Sequence, residues 1–127
     1  MNNNVEYNGT CSCGFVKYTI YDAPLFTHAC HCDDCKKSTG SAFVVHSMIL
    51  ENYFEVKEGE LEATTLPTGS GAGYKPFFCK KCGTYIYCKY DMATGRIIIR
   101  TSTLNDSENF PPQAHIFTRS KVPWITL

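Results

Sequence analysis

Seven of the eight cysteines lie in three short groups whose spacing is typical of metal ligands. In an extended segment, residues two apart point to the same side, so a C-x-C pair can present two sulfurs to one ion. In C-x-x-C a tight turn brings both sulfurs together, and a following glycine lets backbone N–H groups approach the thiolates. Three such groups in one short chain predict zinc binding. The groups are Cys11 and Cys13, then Cys30, Cys32 and Cys35, then Cys79 and Cys82 followed by Gly83.

Seven ligands suggest a division into one group of four and one group of three. A closed Cys₄ site is structural, whereas a site with three protein ligands keeps a fourth position for water or substrate. Spacing alone leaves the pairing open, since Cys32, Cys35, Cys79 and Cys82 could also make an ordinary zinc ribbon with the other cysteines as accessory ligands. Disulfides are the alternative to metal, and the lack of a secretory leader disfavours them.

Charge and hydropathy narrow the range of partners. Lys plus Arg and Asp plus Glu number 12 each, and this balance disfavours a surface for nucleic-acid phosphates. The start of the chain at Met1 lacks a basic region followed by an apolar run, and no stretch approaches the roughly 18 apolar residues of a membrane span. We expect a cytoplasmic protein with no nucleic-acid or membrane partner. Its length predicts one domain over residues 1–127, with residues 1–8 as a lead-in.

The remaining pattern predicts an all-β fold with little or no helix. Short runs rich in Val, Ile, Thr, Tyr and Phe are separated by Gly, Pro, Asn and Asp, as in proteins made of many short strands. Residues 33–39 are predicted to form a turn or one short helix, and turns are predicted at 22–24, 67–73 and 91–95. The long segment 102–114 is either a binding loop or a plain crossover connection. Strands are predicted at residues 15–21, 25–29, 42–50, 54–58, 61–65, 74–78, 84–90, 96–101 and 115–118.

Four strings that occur in a fixed order carry a family resemblance. They are CSCGFVKY at residues 11–18, CHCDDCKKSTGSAF at 30–43, FCKKCGT at 78–84, and a tail that runs from His115 to Trp124. Over about residues 9 to 127 the chain resembles the glutathione-dependent formaldehyde-activating enzyme (GFA) family, which includes centromere protein V. The resemblance implies an all-β "β-tent" fold of antiparallel strands with zinc knuckles. It also implies two zinc ions: a structural one held by Cys11, Cys13, Cys79 and Cys82, and a second one with an open position held by Cys30, Cys32 and Cys35.

The activity that the resemblance implies is that of a carbon–sulfur lyase, which joins the glutathione thiol to formaldehyde reversibly to give S-hydroxymethylglutathione. A zinc ion with three thiolates carries a net charge of about −1, which suits a soft thiol as fourth ligand. The nucleobase deaminases also use cysteine-rich zinc, but neither their H-x-E string nor their P-C-x-x-C string occurs here. The expected partners are therefore a small-molecule thiol and an aldehyde. Two alternatives stay open: a zinc-stabilised β-scaffold that binds a protein, and a GFA-like enzyme with a different thiol or aldehyde.

Some residues outside the cysteine groups are candidates for the site. His115 belongs to the family tail. We give equal weight to two roles for it: orienting the site and packing. The segment after Cys35 has hydroxyl and N–H groups that could bind a peptide-like ligand or cap a turn. Its substrate-binding candidates are Ser38, Thr39, Gly40 and Ser41.

Other residues are expected to have structural roles. We expect His31 to lie in solvent or behind the ligands, because its alternation places it opposite Cys30 and Cys32. His28 and His46 are expected to be hydrogen-bonded structural histidines. Trp124 is expected in the core, and Cys88 is expected to be a buried free thiol.

Overall fold

The protein folds into two β-sheets in the computed structural model, which describes residues 5–66, 73–91 and 94–127. The strands of the smaller sheet are β1 (Tyr7–Thr10), β2 (Lys17–Ile20) and β5 (Phe54–Glu58). Those of the larger sheet are β3 (Phe26–Cys30), β4 (Val44–Leu50), β6 (Leu61–Ala63), β7 (Tyr74–Cys79), β8 (Tyr85–Tyr90), β9 (Arg96–Arg100) and β10 (Ala114–Ile116). The smaller sheet is antiparallel and has the strand order β1-β2-β5. The larger sheet has the order β10-β3-β4-β9-β8-β7-β6, and within it β10 runs parallel to β3.

One short α-helix, α1 (Asp33–Thr39), follows β3. It begins after Cys32, whose sulfur accepts a hydrogen bond from the backbone N–H of Cys35, and it ends at Gly40 in the left-handed conformation. Single 3₁₀ turns lie at Glu51–Tyr53, Thr101–Thr103, Ser107–Asn109 and Thr118–Ser120. No helix in the described ranges combines the length and the apolar character that crossing a membrane requires.

The two faces of the larger sheet carry different clusters of side chains. Ile97 and Ile99 of β9 are fully buried and pack with Tyr18 of β2 in the main core cluster. Because side chains alternate along a strand, Ile98 and Arg100 point to the opposite face. That second face carries a smaller cluster around Ile98 and Cys88. The smaller sheet therefore covers one face, and the other face is left for the site described below.

The all-β class is confirmed, and all nine predicted strands are present with ends that differ by a few residues. The strand Tyr7–Thr10 was not predicted, because its Asn-Gly pair is typical of a turn; it starts within the predicted lead-in, residues 1–8. The helix falls on the predicted segment 33–39. Segment 102–114 contains the end of one 3₁₀ turn, the whole of a second one and the first residue of β10.

The predictions for Trp124 and for two of the turns have different outcomes. Trp124 was expected in the core, but 76% of its surface is exposed, so that prediction is wrong. No described strand or helix lies beyond Ser120 to cover this side chain. Most of the predicted turn at 67–73, and residues 92–93 of the turn at 91–95, lie outside the described residues.

Candidate metal centres and active site

The four sulfurs of the first cysteine group come from segments far apart in sequence. The Sγ atoms of Cys11 and Cys13 are 3.6 Å apart, those of Cys13 and Cys79 are 3.9 Å apart, and all four, with Cys82, lie within 4.8 Å of one another. A tetrahedral zinc ion with Zn–S bonds of about 2.3 Å would hold its sulfurs about 3.8 Å apart. The arrangement therefore fits one metal ion held between the start of the chain and the β7–β8 hairpin.

Hydrogen bonds to the sulfurs support this interpretation. The backbone N–H of Val16 donates to Cys11 Sγ at 3.3 Å, and the N–H groups of Lys81 and Cys82 donate to Cys79 Sγ at 3.3 and 3.4 Å. The Thr84 hydroxyl lies 3.0 Å from Cys82 Sγ, and this contact lowers the pKa of Cys82 to about 5. Donors aimed at sulfur stabilise thiolates, the form that binds metal.

Glycine makes both turns of this group possible. Gly14 follows Cys13 with φ of 81°, and Gly83 follows Cys82 with φ of 79°. In this left-handed region a side chain would be strained, whereas glycine is not. The chain can thus fold back so that its N–H groups face the sulfurs.

The second group is local in sequence and lies where β3 passes into α1. Cys30 ends the strand, Cys32 precedes the helix and Cys35 sits in its first turn. The three Sγ atoms lie within 4.8 Å of one another, with Cys35 and Cys30 3.2 Å apart. The contact with Cys35 lowers the pKa of Cys30 to about 6. Three converging sulfurs fit a metal ion with three protein ligands.

The three-cysteine group forms part of the wall of a cavity of about 770 Å³. The four cysteines of the other group do not line it. Much of the remaining wall is aromatic or aliphatic. Its lining residues other than the three cysteines are His28, Asp33, Asp34, Ser38, His46, Tyr74, Tyr90, Ile98, Ile116, Phe117, Arg119 and Ser120.

The register of the larger sheet aligns a row of polar side chains beside this cavity. His28 of β3 pairs with His46 of β4, and His46 pairs with Arg100 of β9. Arg100 Nη1 lies 2.8 Å from His46 Nε2, which therefore accepts, and the ring proton remains on Nδ1. Burial, followed by the charge of Arg100, lowers the pKa of His46 to about 3. His28 stacks edge-on against His46, and burial lowers its pKa as well, so both imidazoles are neutral at pH 7.

Two tyrosines face the cavity from the neighbouring strands. Tyr74 of β7 pairs with Tyr90 of β8, and their rings are 5.1 Å apart. Burial raises the pKa of both phenols well above the ordinary value, so each keeps its proton. The hydroxyl of Tyr74 is also hydrogen-bonded to that of Tyr85. Protonated phenols at a cavity wall can donate to an oxygen that gains negative charge.

The structure separates the candidates after Cys35 into two kinds. Ser38 lines the cavity. The hydroxyl of Thr39 donates to the carbonyl of Cys35 at 2.6 Å and accepts from the N–H of Ser41, while Gly40 ends the helix, so these three residues shape the turn. Thr39 and Ser41 line a neighbouring cavity of about 530 Å³, together with Ser38.

His115 lies outside the wall of the main cavity and contacts His31 instead. His115 Nδ1 is 3.0 Å from His31 Nε2. His31 has no exposed surface, and its ring stacks on Phe43. Its backbone N–H donates to the carbonyl of Ile116 at 3.0 Å. His31 therefore lies behind the candidate ligands and not in solvent. In this buried position it fixes the backbone between Cys30 and Cys32. His46 is hydrogen-bonded as expected, and Cys88 is a buried free cysteine as expected.

Sequence reasoning missed several residues that surround the three-cysteine group, among them Tyr74, Tyr90, Arg100 and Phe117. The signal that could have found the first three is strand alternation combined with register, which requires knowing the strand neighbours. Phe117 lies in the tail that carries the family resemblance, but no pattern indicated that it faces the cavity. It is the one non-glycine residue of the described chain with positive φ, at 55°, and half of its surface is exposed at the cavity.

Comparison with known proteins agrees with this geometry. The family model described as glutathione-dependent formaldehyde-activating enzyme matches residues 6–120. A crystal structure of a Rhodobacter sphaeroides protein, a structural-genomics target, has the same fold, with a TM-score of 0.61 at 18% identity over 85% of this chain and 98% of that one. Comparison with curated proteins gives no significant match. Because the family match covers most of its length, the chain belongs to the glutathione-dependent formaldehyde-activating enzyme family.

Proposed function

We propose that the chain is a zinc-dependent carbon–sulfur lyase that acts on a thiol adduct such as S-hydroxymethylglutathione. The observation that carries this proposal is the unequal placement of the two cysteine groups. Cys30, Cys32 and Cys35 line the main cavity, whereas Cys11, Cys13, Cys79 and Cys82 do not. A metal ion with three protein ligands has a position for substrate, and a cavity beside it gives substrate access. Zinc bound there would supply a Lewis acid that favours the thiolate form of a substrate thiol.

The reaction is an addition without oxidation or reduction. The thiol sulfur forms a bond to the aldehyde carbon, the π electron pair of the carbonyl moves to oxygen, and the proton lost from sulfur ends on that oxygen. In the reverse direction the carbon–sulfur bond breaks and the same proton returns to sulfur. The protein must therefore hold the sulfur, donate to the oxygen and carry one proton.

Residues of the cavity are suited to the last two tasks. The phenols of Tyr74 and Tyr90 retain their protons, so we assign them as hydrogen-bond donors to the carbonyl oxygen. His28 lines the cavity two residues before Cys30, and burial keeps its imidazole neutral. We assign it as the group that takes the thiol proton at a ring nitrogen and returns it to the alkoxide.

The cavity also has room for more than formaldehyde. Its volume of about 770 Å³ lies within the usual range for small-molecule sites and is large enough for a tripeptide thiol. Its apolar wall, which includes Ile98, Ile116 and Phe117, would contact the rest of the thiol or a larger aldehyde.

Exchange spectroscopy by NMR tests the proposal. Glutathione, formaldehyde and their adduct interconvert in solution, and we expect the zinc-loaded protein to accelerate that exchange above the uncatalysed rate. Cys35→Ser should abolish the acceleration, and Cys88→Ala is the matched control, since Cys88 is a buried cysteine outside both groups. Tyr74→Phe should lower the rate by about tenfold or more, as expected for a donor to developing negative charge.

The outcomes separate the alternatives. Glutathione binding without faster exchange would contradict the formaldehyde reaction and point to another aldehyde. No binding of any small thiol would contradict the lyase and favour a zinc-stabilised scaffold that binds a protein.

A further inference from the structure

Within the part of the chain that the structure describes, Arg100 is a buried cation without an acidic partner. Only 6% of its surface is exposed, and no described residue accepts a hydrogen bond from its Nε. The ion pairs found among the described residues all use lysine, and none joins Arg100 to a carboxylate. A buried charge is costly unless an opposite charge offsets it. Arg100 therefore requires an anion that the carboxylates do not supply.

The contacts of Arg100 with other described residues are all to neutral groups. Its Nη1 donates to His46 at 2.8 Å, and its Nη2 lies 3.5 Å from the hydroxyl of Tyr74. Its guanidinium carbon lies 3.6 Å from the ring centroid of Tyr85. These groups fix the position of the guanidinium, and the face of Tyr85 attracts a cation. None of them carries a full negative charge.

The contacts of Arg100 connect it to the cavity that the three-cysteine group lines. His46 and Tyr74, which its two Nη atoms contact, both lie in the wall of that cavity together with Cys30, Cys32 and Cys35. A divalent ion with three thiolates carries a net charge of −1, and a thiolate as fourth ligand would bring it to −2. One buried guanidinium would offset one of these two charges, and it attracts a thiolate as fourth ligand but not a neutral one.

We propose that Arg100 is the counter-ion of the Cys30/Cys32/Cys35 metal centre and makes that centre select an anionic over a neutral fourth ligand. His46 is the positioning residue that holds the guanidinium through Nε2. This inference rests on the metal site of the proposed function and adds to it the charge of the ligand that the site prefers.

Ligand titrations of the cobalt(II)-substituted protein test the inference without any measurement of activity. Glutathione supplies an anionic sulfur ligand and imidazole supplies a neutral one, and both change the visible spectrum of cobalt. We expect Arg100→Gln to weaken glutathione binding by roughly tenfold, the effect of one unit charge at several ångströms in a protein environment. Imidazole binding should stay the same or become tighter.

Two further variants keep the test decisive. Arg96→Gln is the matched control, because Arg96 is exposed at the other end of the same strand, and it should leave both affinities unchanged. Ser102→Asp leaves the arginine in place and adds an acid on a cavity that Arg100 also lines, so it should weaken glutathione binding in the same direction even if Arg100→Gln does not fold.

The inference fails if Arg100→Gln and Ser102→Asp bind glutathione as the original protein does, or if both ligands weaken equally. The proposed function fails separately, if the unmodified cobalt protein binds no thiol.

Discussion

The two cysteine groups should differ in what they contribute to stability, and the difference is opposite to what burial alone suggests. Cys82 is exposed and Cys35 is buried, so replacing each by serine would, without a metal, disturb the packing more at Cys35. Metal ligation reverses this order. The four-cysteine group joins segments far apart in the chain, since Cys13 and Cys79 are 66 residues apart. The three-cysteine group closes a segment in which Cys30 and Cys35 are 5 residues apart.

Loop-closure entropy gives the magnitude. A cross-link over a loop of this longer length removes about 4 kcal/mol of chain entropy from the unfolded state, and one over the shorter length removes about 2 kcal/mol. Cys11 and Cys79 also belong to the main core cluster, so loss of the first ion would loosen the core itself. We therefore expect Cys82→Ser to lower Tm by roughly 15 °C or more, and Cys35→Ser by about half of that or less.

Thermal unfolding followed by circular dichroism, with reduced thiols and saturating zinc, measures both shifts. Cys88→Ala provides the control for the loss of a cysteine that lies outside both groups. If Cys35→Ser proves as destabilising as Cys82→Ser, or more so, the division into a structural and an open centre is wrong.

Three other predictions concern single residues. Phe117→Gly should raise the free energy of unfolding by about 1 kcal/mol, because glycine accepts the positive φ of 55°. It should also weaken glutathione binding. Denaturant titration measures the first effect and ligand titration the second, and a loss of stability would contradict the argument. His46 has a folded-state pKa of about 3 against an ordinary value of 6.5, so between those pH values the unfolded chain binds the extra proton and stability falls as pH falls. His46→Gln should flatten that dependence of Tm on pH relative to the original protein, and an unchanged slope would count against it. Burial raises the pKa of Cys88 to about 12, so this thiol should resist alkylation by iodoacetamide until the protein unfolds; modification in the folded state, detected by mass spectrometry, would refute this.

Much of the fold was readable from the sequence because its signals are local. Alternation in segments such as Lys17–Ile20 marks a strand whatever its neighbours are, and the nine predicted strands are all present. The strand Tyr7–Thr10 could not be recognised, since it forms through pairing with β2 and not through its own composition. Trp124 was misjudged for the converse reason, because a large aromatic residue favours burial only where another element covers it.

Some residues of the candidate site could likewise be predicted from local sequence patterns, and others could not. Cysteine spacing identifies the candidate metal-binding segments, because the geometry of a knuckle is a property of four to six consecutive residues. The row from His28 through His46 to Arg100 depends on the order β3-β4-β9, which no local pattern encodes. The cysteine spacing therefore supplied the candidate ligands and the family resemblance supplied their division into two sites, whereas the groups proposed to carry the proton and the charge required the structure.

The proposed reaction requires a three-cysteine centre that is open to a thiol from the cavity and a four-cysteine centre that is closed. Cobalt(II) substitution followed by titration with glutathione tests this most directly, since a new sulfur ligand changes the visible spectrum of cobalt. We predict a saturable change that involves one of two bound cobalt ions, that is lost in Cys35→Ser, and that is retained in Cys88→Ala. A spectrum that stays unchanged with glutathione and with every other small thiol would contradict the claim, because the fourth position of the Cys30/Cys32/Cys35 centre would then be closed to substrate.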